Sequence, residues 1–293
     1  MGRALDELVK LLSLEPIEVN IFRGLSPPDD RQRVFGGQVA GQALMAAART
    51  LPEDNAERHL HSLHAYFLRP GDVKVPILYE VDRIRDGRSF TTRRVVAIQH
   101  GRAIFNMSAS FHVPEESFDH QQPMPTTPPP DALPTWLERW EPYKDVIAEY
   151  LDRPRPVDMR FVDAPPPPGR EGPLDPRQRV WLKADGDLPD DPIIHACIVA
   201  WASDMTLLDT SVLPHGLSNQ DDQLMMASLD HAMWFHRPFR IDEWMLFDQM
   251  SPTASEARGF AWGHVYTSGG DLAVSVVQEG LLRLSTKDRT ESV

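Results

Sequence analysis

The amino-acid sequence predicts an α+β protein built from two similar units, each a curved antiparallel sheet wrapped around one buried helix. Three observations predict it. The first is an internal duplication. Ser62-Leu63-His64-Ala65-Tyr66-Phe67-Leu68-Arg69-Pro70 is echoed by Ser228-Leu229-Asp230-His231-Ala232-Met233-Trp234-Phe235-His236-Arg237-Pro238, with the Arg-Pro pairs 168 residues apart. Gly101 and Gly270, each at a turn between two long strand-like runs, lie 169 apart. Two anchors in such agreement indicate one fold used twice, at a period far too long for a solenoid. The second is the run Ile193–Ala202, which is apolar on every face. A helix without a polar face is buried on all sides, and a sheet wrapped around it meets that need. The third is proline: 16 of the 27 fall between Pro114 and Pro176. Such a stretch reads as a semi-rigid connector without regular strands.

Along the chain, Met1 to Leu14 patterns as a short amphipathic helix. Phe35-Gly36-Gly37-Gln38 opens an Ala- and Leu-rich helical run, Val39 to Arg49. A strand pair follows at Thr91–Ile98 and Ala103–Val113, bent at His100-Gly101. Inside the connector, Trp136, Leu137, Trp140 and Tyr143 fall at helical spacing, so a short helix is expected within Thr135 to Leu151. In the second unit Asp190 or Asp191 can cap a helix, Pro192 suits its first turn, and the helix is expected to run from Ile193 to Leu208. The closing strand pair is Gly259–Thr267 and Leu272–Leu284 around Gly269-Gly270. The expected division is a first unit over 1–113, a connector over 114–179 and a second unit over 180–293.

Composition excludes several classes. Lys+Arg is 30 against 43 Asp+Glu, a net charge of −13, so nucleic acid is not an expected partner. The single cysteine, Cys197, permits no internal disulfide and points to a reducing, cytoplasmic setting. Within the apolar helix it reads as inert core. The N-terminal stretch lacks signal-peptide features, and the C-terminal Glu291-Ser292-Val293 is not a peroxisomal address. No uninterrupted apolar run reaches ~18 residues, so no membrane span is expected. His59 and His61 share a strand face by alternation and His64 takes the other, without a carboxylate or cysteine cluster, so no metal is expected.

Three polar residues carry the chemical question. Asp204 directly follows the apolar helical run. It either meets solvent at the helix end or faces a cavity, because an unpaired buried carboxylate is very costly. Gln278 shares an inward strand face with Val276 and Val274 and needs partners for its amide; the residue 169 earlier is Ala109. Ser228, expected at the start of a strand, is uninformative alone. Asp, Ser and Gln would satisfy one another if they converged, and could hold one water. Ser228 lacks the Gly-X-Ser-X-Gly elbow of a covalent nucleophile. The Asp230-His231 pair reads as strand packing.

Over about residues 5 to 284 the chain resembles the acyl-CoA thioesterase II family. The matching blocks are Leu25-Ser26, Arg33-Val34-Phe35-Gly36-Gly37-Gln38-Val39-Ala40-Gly41-Gln42-Ala43-Leu44, His64-Ala65-Tyr66-Phe67-Leu68-Arg69-Pro70-Gly71-Asp72 and Asp86-Gly87-Arg88-Ser89-Phe90. In the second unit they are Ala202-Ser203-Asp204, the Asp230–Pro238 block, Ser255-Glu256-Ala257-Arg258-Gly259 and Val277-Gln278-Glu279-Gly280. The resemblance implies a double hotdog fold and hydrolysis of medium- to long-chain fatty acyl-CoA. It assigns Asp204, Ser228 and Gln278 to water activation, with Ser where some members have Thr. It implies no metal or redox cofactor and a homo-oligomer, a dimer or tetramer. Backbone N–H groups at Gly36, Gly37 and Gln38 are the expected oxyanion donors. Arg69, Arg88, Arg93, Arg94, Arg237 and Arg258 include candidates for the coenzyme phosphates. The competing readings are a hotdog-fold enoyl-CoA hydratase or dehydratase, and a non-catalytic acyl-CoA-binding module.

Overall fold

The structure, a computed structural model, describes residues 2–284 except 28–31, 54–56, 146, 148–152, 154, 168–171, 219–220 and 222. The first unit comprises α1 (Arg3–Leu12), β1 (Glu15–Glu18), β2 (Ile21–Gly24), α2 (Gly36–Ala48), β3 (His59–Phe67), β4 (Ile77–Asp86), β5 (Phe90–Gln99) and β6 (Arg102–His112). The chain continues through α3 (Trp136–Trp140), β7 (Val157–Phe161), β8 (Arg177–Ala184), α4 (Pro192–Ser203), β9 (Leu224–Ser228), β10 (Asp230–Phe235), β11 (Met245–Ser255), β12 (Arg258–Thr267) and β13 (Leu272–Leu284).

All strands join one antiparallel sheet in the order β1-β2-β4-β5-β6-β3-β10-β13-β12-β11-β8-β7, with β9 pairing β13. The order reads the same from either end: β3 matches β10, β6 matches β13 and β5 matches β12. The two units meet edge to edge at β3 and β10, where Ala232 pairs His64 and Met233 pairs Leu63. Neither unit therefore leaves that strand edge open. Both central helices sit inside the curl, packed on each other. Gly37 and Gly41 allow this close approach, because a Cβ at Gly37 would lie 2.5 Å from the Trp201 carbonyl and one at Gly41 3.0 Å from that of Cys197. The hydrophobic core is continuous across both units, from Leu5 and Leu44 through Met107 to Ile198, Phe247 and Val276.

Three expectations change. Strand β7 lies inside the proline-rich stretch expected to hold none. Val157-Asp158-Met159-Arg160-Phe161 contains no proline, alternates buried and half-buried, and pairs β8 at the sheet edge. The connector helix is interrupted: an α-helix, Trp136–Trp140, gives way to a tight 3-10 turn over Glu141–Tyr143, and Lys144, Asp145 and Ile147 are α-helical again; part of the expected range, to Leu151, lies outside the described residues. Helix α4 stops at Ser203 rather than Leu208. Asp204 is its C-cap at φ −78° and ψ −2°, and the chain turns before a 3-10 segment at Leu208–Ser211. The helical run Pro192–His215 is apolar and long enough to cross a bilayer by length and composition, but 78% of its apolar window is buried inside the protein.

Candidate active site

Asp204 reaches the site because α4 ends there. Its carboxylate lies where β9, β13 and the start of α2 converge. Gln278 Nε2 donates to Asp204 Oδ1 at 2.6 Å and to Ser228 Oγ at 3.0 Å. Ser228 Oγ donates to the same Oδ1 at 3.1 Å. Gln278 is fully buried, and its Oε1 has no partner among the described residues. That leaves an acceptor which a single water would satisfy. Ser228 closes β9 rather than starting a strand, opposite Gly280 of β13. Leu229 lies between β9 and β10, its N–H donating to the Glu279 carbonyl of β13 and its carbonyl accepting from the Phe67 N–H, both at 2.9 Å.

The third partner of Asp204 comes from the other unit. The N-cap of α2, Phe35, has no side chain that can accept, and the backbone N–H of Gly37 donates to Asp204 instead. Asp204 thus caps α2 from outside, at the positive end of the helix dipole. A Cβ on Gly36 would lie 2.6 Å from Asp204 Oδ2 and 2.9 Å from the Phe67 ring, so only glycine lets the two units close here. Burial raises the Asp204 pKa to about 6, against the lowering by Gln278, Ser228, the Gly37 N–H and the charge of Arg33. Desolvation outweighs the donors, which leaves a carboxyl poised near neutrality.

A cleft of about 630 Å³ opens on Asp204 and Ser228, walled by Val34, Phe35, Phe67, Met205 and Met226. Arg33 and Arg69 stand in its wall and are exposed. Arg33 Nη2 donates to the Met226 carbonyl at 2.7 Å, and Arg69 Nη1 to that of Ala103 at 2.6 Å.

Other candidates fall elsewhere. Gly37 spends its N–H on Asp204. Gln38 is buried and its side-chain amide, rather than its backbone N–H, bonds Leu25 O and Ser26 Oγ. Arg93 is fully buried against Thr50 and Asp86. Arg94, Arg237 and Arg258 are paired with Asp82, Asp119 and Glu279. A register shift between Leu60 and Ser62 moves His64 onto the exposed side, against the alternation expected, and it packs on Trp234. Among the described residues no group of three or more His, Cys, Asp or Glu could hold a metal. His231 bonds Ser203 Oγ at 2.9 Å, whereas Asp230 accepts from the Glu279 N–H, so they form no dyad. Burial lowers the His231 pKa to about 4 and raises that of the Cys197 thiol. His195 binds the Ile241 N–H at the opposite end of α4. Its nine-residue separation from Asp204 is about 13 Å along a helix, which separates it from the site. Arg33 and the Gly37–Asp204 bond were not singled out from the sequence. The Arg33-Val34-Phe35-Gly36-Gly37 run carries both, without showing what α2 would face.

Comparison with known proteins decides the family. Residues 158–281 match the family model described as acyl-CoA thioesterase, and residues 26–112 match the acyl-CoA thioesterase N-terminal domain. Acyl-coenzyme A thioesterase 8 of Mus musculus is 41% identical, over 94% of this chain and 89% of that protein. This chain belongs to the acyl-CoA thioesterase family. Acyl-CoA thioesterase 2 of Haemophilus influenzae is 38% identical, over 97% of this thioesterase and 100% of that protein. A crystal structure of an acyl-CoA thioesterase II from Mycobacterium marinum superposes with a TM-score of 0.77 at 43% identity, covering 95% of this chain and 99% of that one. A hot dog fold protein from Alicyclobacillus acidocaldarius, 20% identical with a TM-score of 0.74, shares the fold. The fold is a double hotdog, and the protein is a thioester hydrolase.

Proposed function

We propose that this thioesterase hydrolyses medium- to long-chain fatty acyl-CoA to free fatty acid and coenzyme A, with a water activated by Asp204. The observation that carries the reading is the convergence of Ser228 Oγ and Gln278 Nε2 on Asp204 Oδ1 at one end of a cleft. With Oδ1 held by two donors, Oδ2 is left to take the proton from water as that water adds to the thioester carbonyl. Ser228 and Gln278 fix the carboxylate, and the unpartnered Oε1 of Gln278 can orient the water. A thioester carbonyl is electrophilic enough for direct attack, so no acyl-enzyme is required. Collapse of the tetrahedral intermediate expels the coenzyme thiolate, which takes up a proton. Because the Gly37 N–H is engaged with Asp204, the Gly36 and Gln38 N–H groups at the start of α2 are the remaining candidates in that turn for the oxyanion. Arg33 and Arg69 are placed to meet the phosphates.

The same reading places the enzyme in a reducing cytoplasm, on the strength of the single buried Cys197. It keeps the division into 1–113, 114–179 and 180–293 as a working scheme. It also makes the protein a homo-oligomer, supported by Tyr66, 59% exposed, and Phe90, 40% exposed, on the sheet. The deciding experiment is thiol release from acyl-CoAs of graded length by the parent and by Asp204→Asn. The variant keeps an acceptor for the Gly37 N–H but loses the base, so kcat/KM should fall by about 10²–10⁴-fold. A variant that retains most of the rate would refute the mechanism. Binding without turnover by the parent would favour the acyl-CoA-binding module, and water addition to a crotonyl thioester the hydratase.

A further inference from the structure

A second cavity adjoins the catalytic cleft. It has a volume of about 420 Å³, within the range of small-molecule sites. Phe35, Trp201 and Met205 wall it on the side of the site, and Trp136, Leu137 and Met159 wall it on the other. Phe35 and Met205 also line the cleft that holds Asp204, so two side chains partition the cavities. One of the two is a methionine, an unbranched side chain that repacks readily. The Phe35 ring meets Trp201 edge to face at 5.5 Å, which holds the other half of the partition.

The two cavities share Phe35 and Met205, and among the described residues each carries two arginines and two aspartates. The cleft wall carries the exposed cations Arg33 and Arg69. In the second cavity Arg155 lies over the Trp136 ring at 4.2 Å and Arg153, Asp158 and Asp185 also line it, while the wall toward the site, Phe35, Trp201 and Met205, is aromatic and thioether. A fatty thioester has a polyanionic arm on sulfur and an apolar arm on the carbonyl carbon, and the apolar arm fits the aromatic and thioether wall. With that carbon beside Asp204, the two arms leave in different directions.

We infer that the second cavity takes the acyl chain and that α3, carried on the proline-rich connector, sets how long a chain it accepts. This deepens the proposed function and rests on it. The far wall is built to hold its position. Thr135 and Glu138 form a capping box on α3, and Arg139 Nη2 donates to the Phe161 carbonyl of β7 at 3.0 Å. Trp136 packs on Trp140 and Phe161 at ring distances of 5.5 and 6.0 Å. Beyond Trp136 lies a further cavity of about 70 Å³, which it also lines with Trp140 and Met159. Trp136 is thus the end wall, and its loss would join the two spaces. Leu137 is 61% exposed at the rim, so added bulk there shortens the cavity without disturbing the core.

The test is an affinity ladder: calorimetric binding of saturated alkyl-CoA thioethers of graded length, which cannot be hydrolysed, to the parent, Trp136→Ala and Leu137→Trp. Leu137→Trp should bind short chains as the parent does and lose about fourfold for each methylene it excludes. Trp136→Ala should extend the rising part of the ladder to longer chains by the same factor per methylene. Leu137→Trp keeps the test valid where Trp136→Ala loosens α3. If neither substitution moves the ladder, the chain lies elsewhere in the cleft and the inference is overturned. Thiol release, followed in parallel, tests the hydrolase reading separately. A ladder that shifts in proteins releasing no thiol would refute that reading and leave the cavity assignment standing.

Discussion

The two units share a strand order and a central helix, yet they differ at the positions that matter for chemistry. At the C-cap of α4 stands Asp204, and at that of α2 stands Arg49, which donates to the Leu14 carbonyl. Opposite Gly280 in β13 is Ser228; opposite Phe111 in β6 is Leu60. Gln278 in β13 answers to Ala109 in β6. The helix starts differ in the complementary sense. Helix α4 caps its own Ile193 N–H with Asp191, at 2.9 Å, while α2 begins after Phe35 and takes its cap from Asp204. One unit thus supplies the polar groups and the other supplies an uncapped helix start for them to meet. A duplicated fold has divided the work: the second unit holds the carboxylate, and the first offers the glycine turn against which it is buried.

The largest test makes the second unit resemble the first. Gln278→Ala copies Ala109 into β13 and removes both donors from Nε2. Thiol release should fall about a hundredfold in kcat with KM little changed, since Gln278 is buried and acts on Asp204, Ser228 and the water rather than on the acyl-CoA. An equal rise in KM would show that the amide binds substrate instead. The reciprocal change, Ala109→Gln, should confer no second site, because the C-cap of α2 is Arg49 rather than a carboxylate and the Ile193 N–H at the start of α4 is already capped by Asp191.

The carboxylate pKa gives the next effect. A base with a pKa of about 6 must be ionised to work, so kcat/KM should drop about tenfold per pH unit below 6 and level off above it. Stability runs the other way. The folded carboxyl holds its proton more tightly than the unfolded chain does, so its contribution to folding is fully present below the ordinary aspartate value of 3.8 and is lost as pH rises through about 6. Asp204→Asn should therefore gain up to about 3 kcal/mol above pH 6 and nothing near pH 4, as read from denaturant midpoints. A variant with the same pH–stability curve as the parent would show that the site is not desolvated.

Ser228 should matter less, because it shares Oδ1 with Gln278. Ser228→Ala should cost about tenfold in kcat, in line with one lost hydrogen bond to a charged group. Ser228→Thr keeps the hydroxyl and stiffens its rotamer, and should retain the parent rate within about threefold. A Thr variant as slow as the Ala variant would mean that space at β9, not the hydroxyl, is limiting.

How much of this was legible in the sequence depends on whether a feature is local. The all-apolar helix over Ile193–Ala202 announces its burial, and the spacing of Gly101 and Gly270 announces the duplication. Asp204 stands out as the first charge after that run, but only the family resemblance joined it to Ser228 and Gln278, which lie 24 and 74 residues away. The signs that failed were those set by partners. Alternation mislaid His64 because a bulge after Leu60 adds a residue that no period-two count sees. Proline density hid β7, which needs five residues and an edge rather than a proline-poor neighbourhood. Gly36-Gly37 reads as a place for a ligand to approach, and the end of the other helix also approaches there.

The smallest prediction isolates the capping asymmetry from the chemistry. Asp191→Ala removes the cap of α4 and should cost about 1 kcal/mol of stability, within the 0.5–2 kcal/mol typical of such losses. At saturating substrate kcat should hold, since Asp191 sits at the end of α4 remote from Asp204. Phe35→Asp makes the opposite change and gives α2 a cap of its own. If the Gly37 N–H then turns to the local carboxylate, Asp204 loses one of the donors that lower its pKa, and the acid limb of the rate profile should move to higher pH. Should the limb stay where it is in both variants, the bond from Gly37 to Asp204 has no share in setting the base. The division of labour between the units would then rest on Gln278 and Ser228 alone.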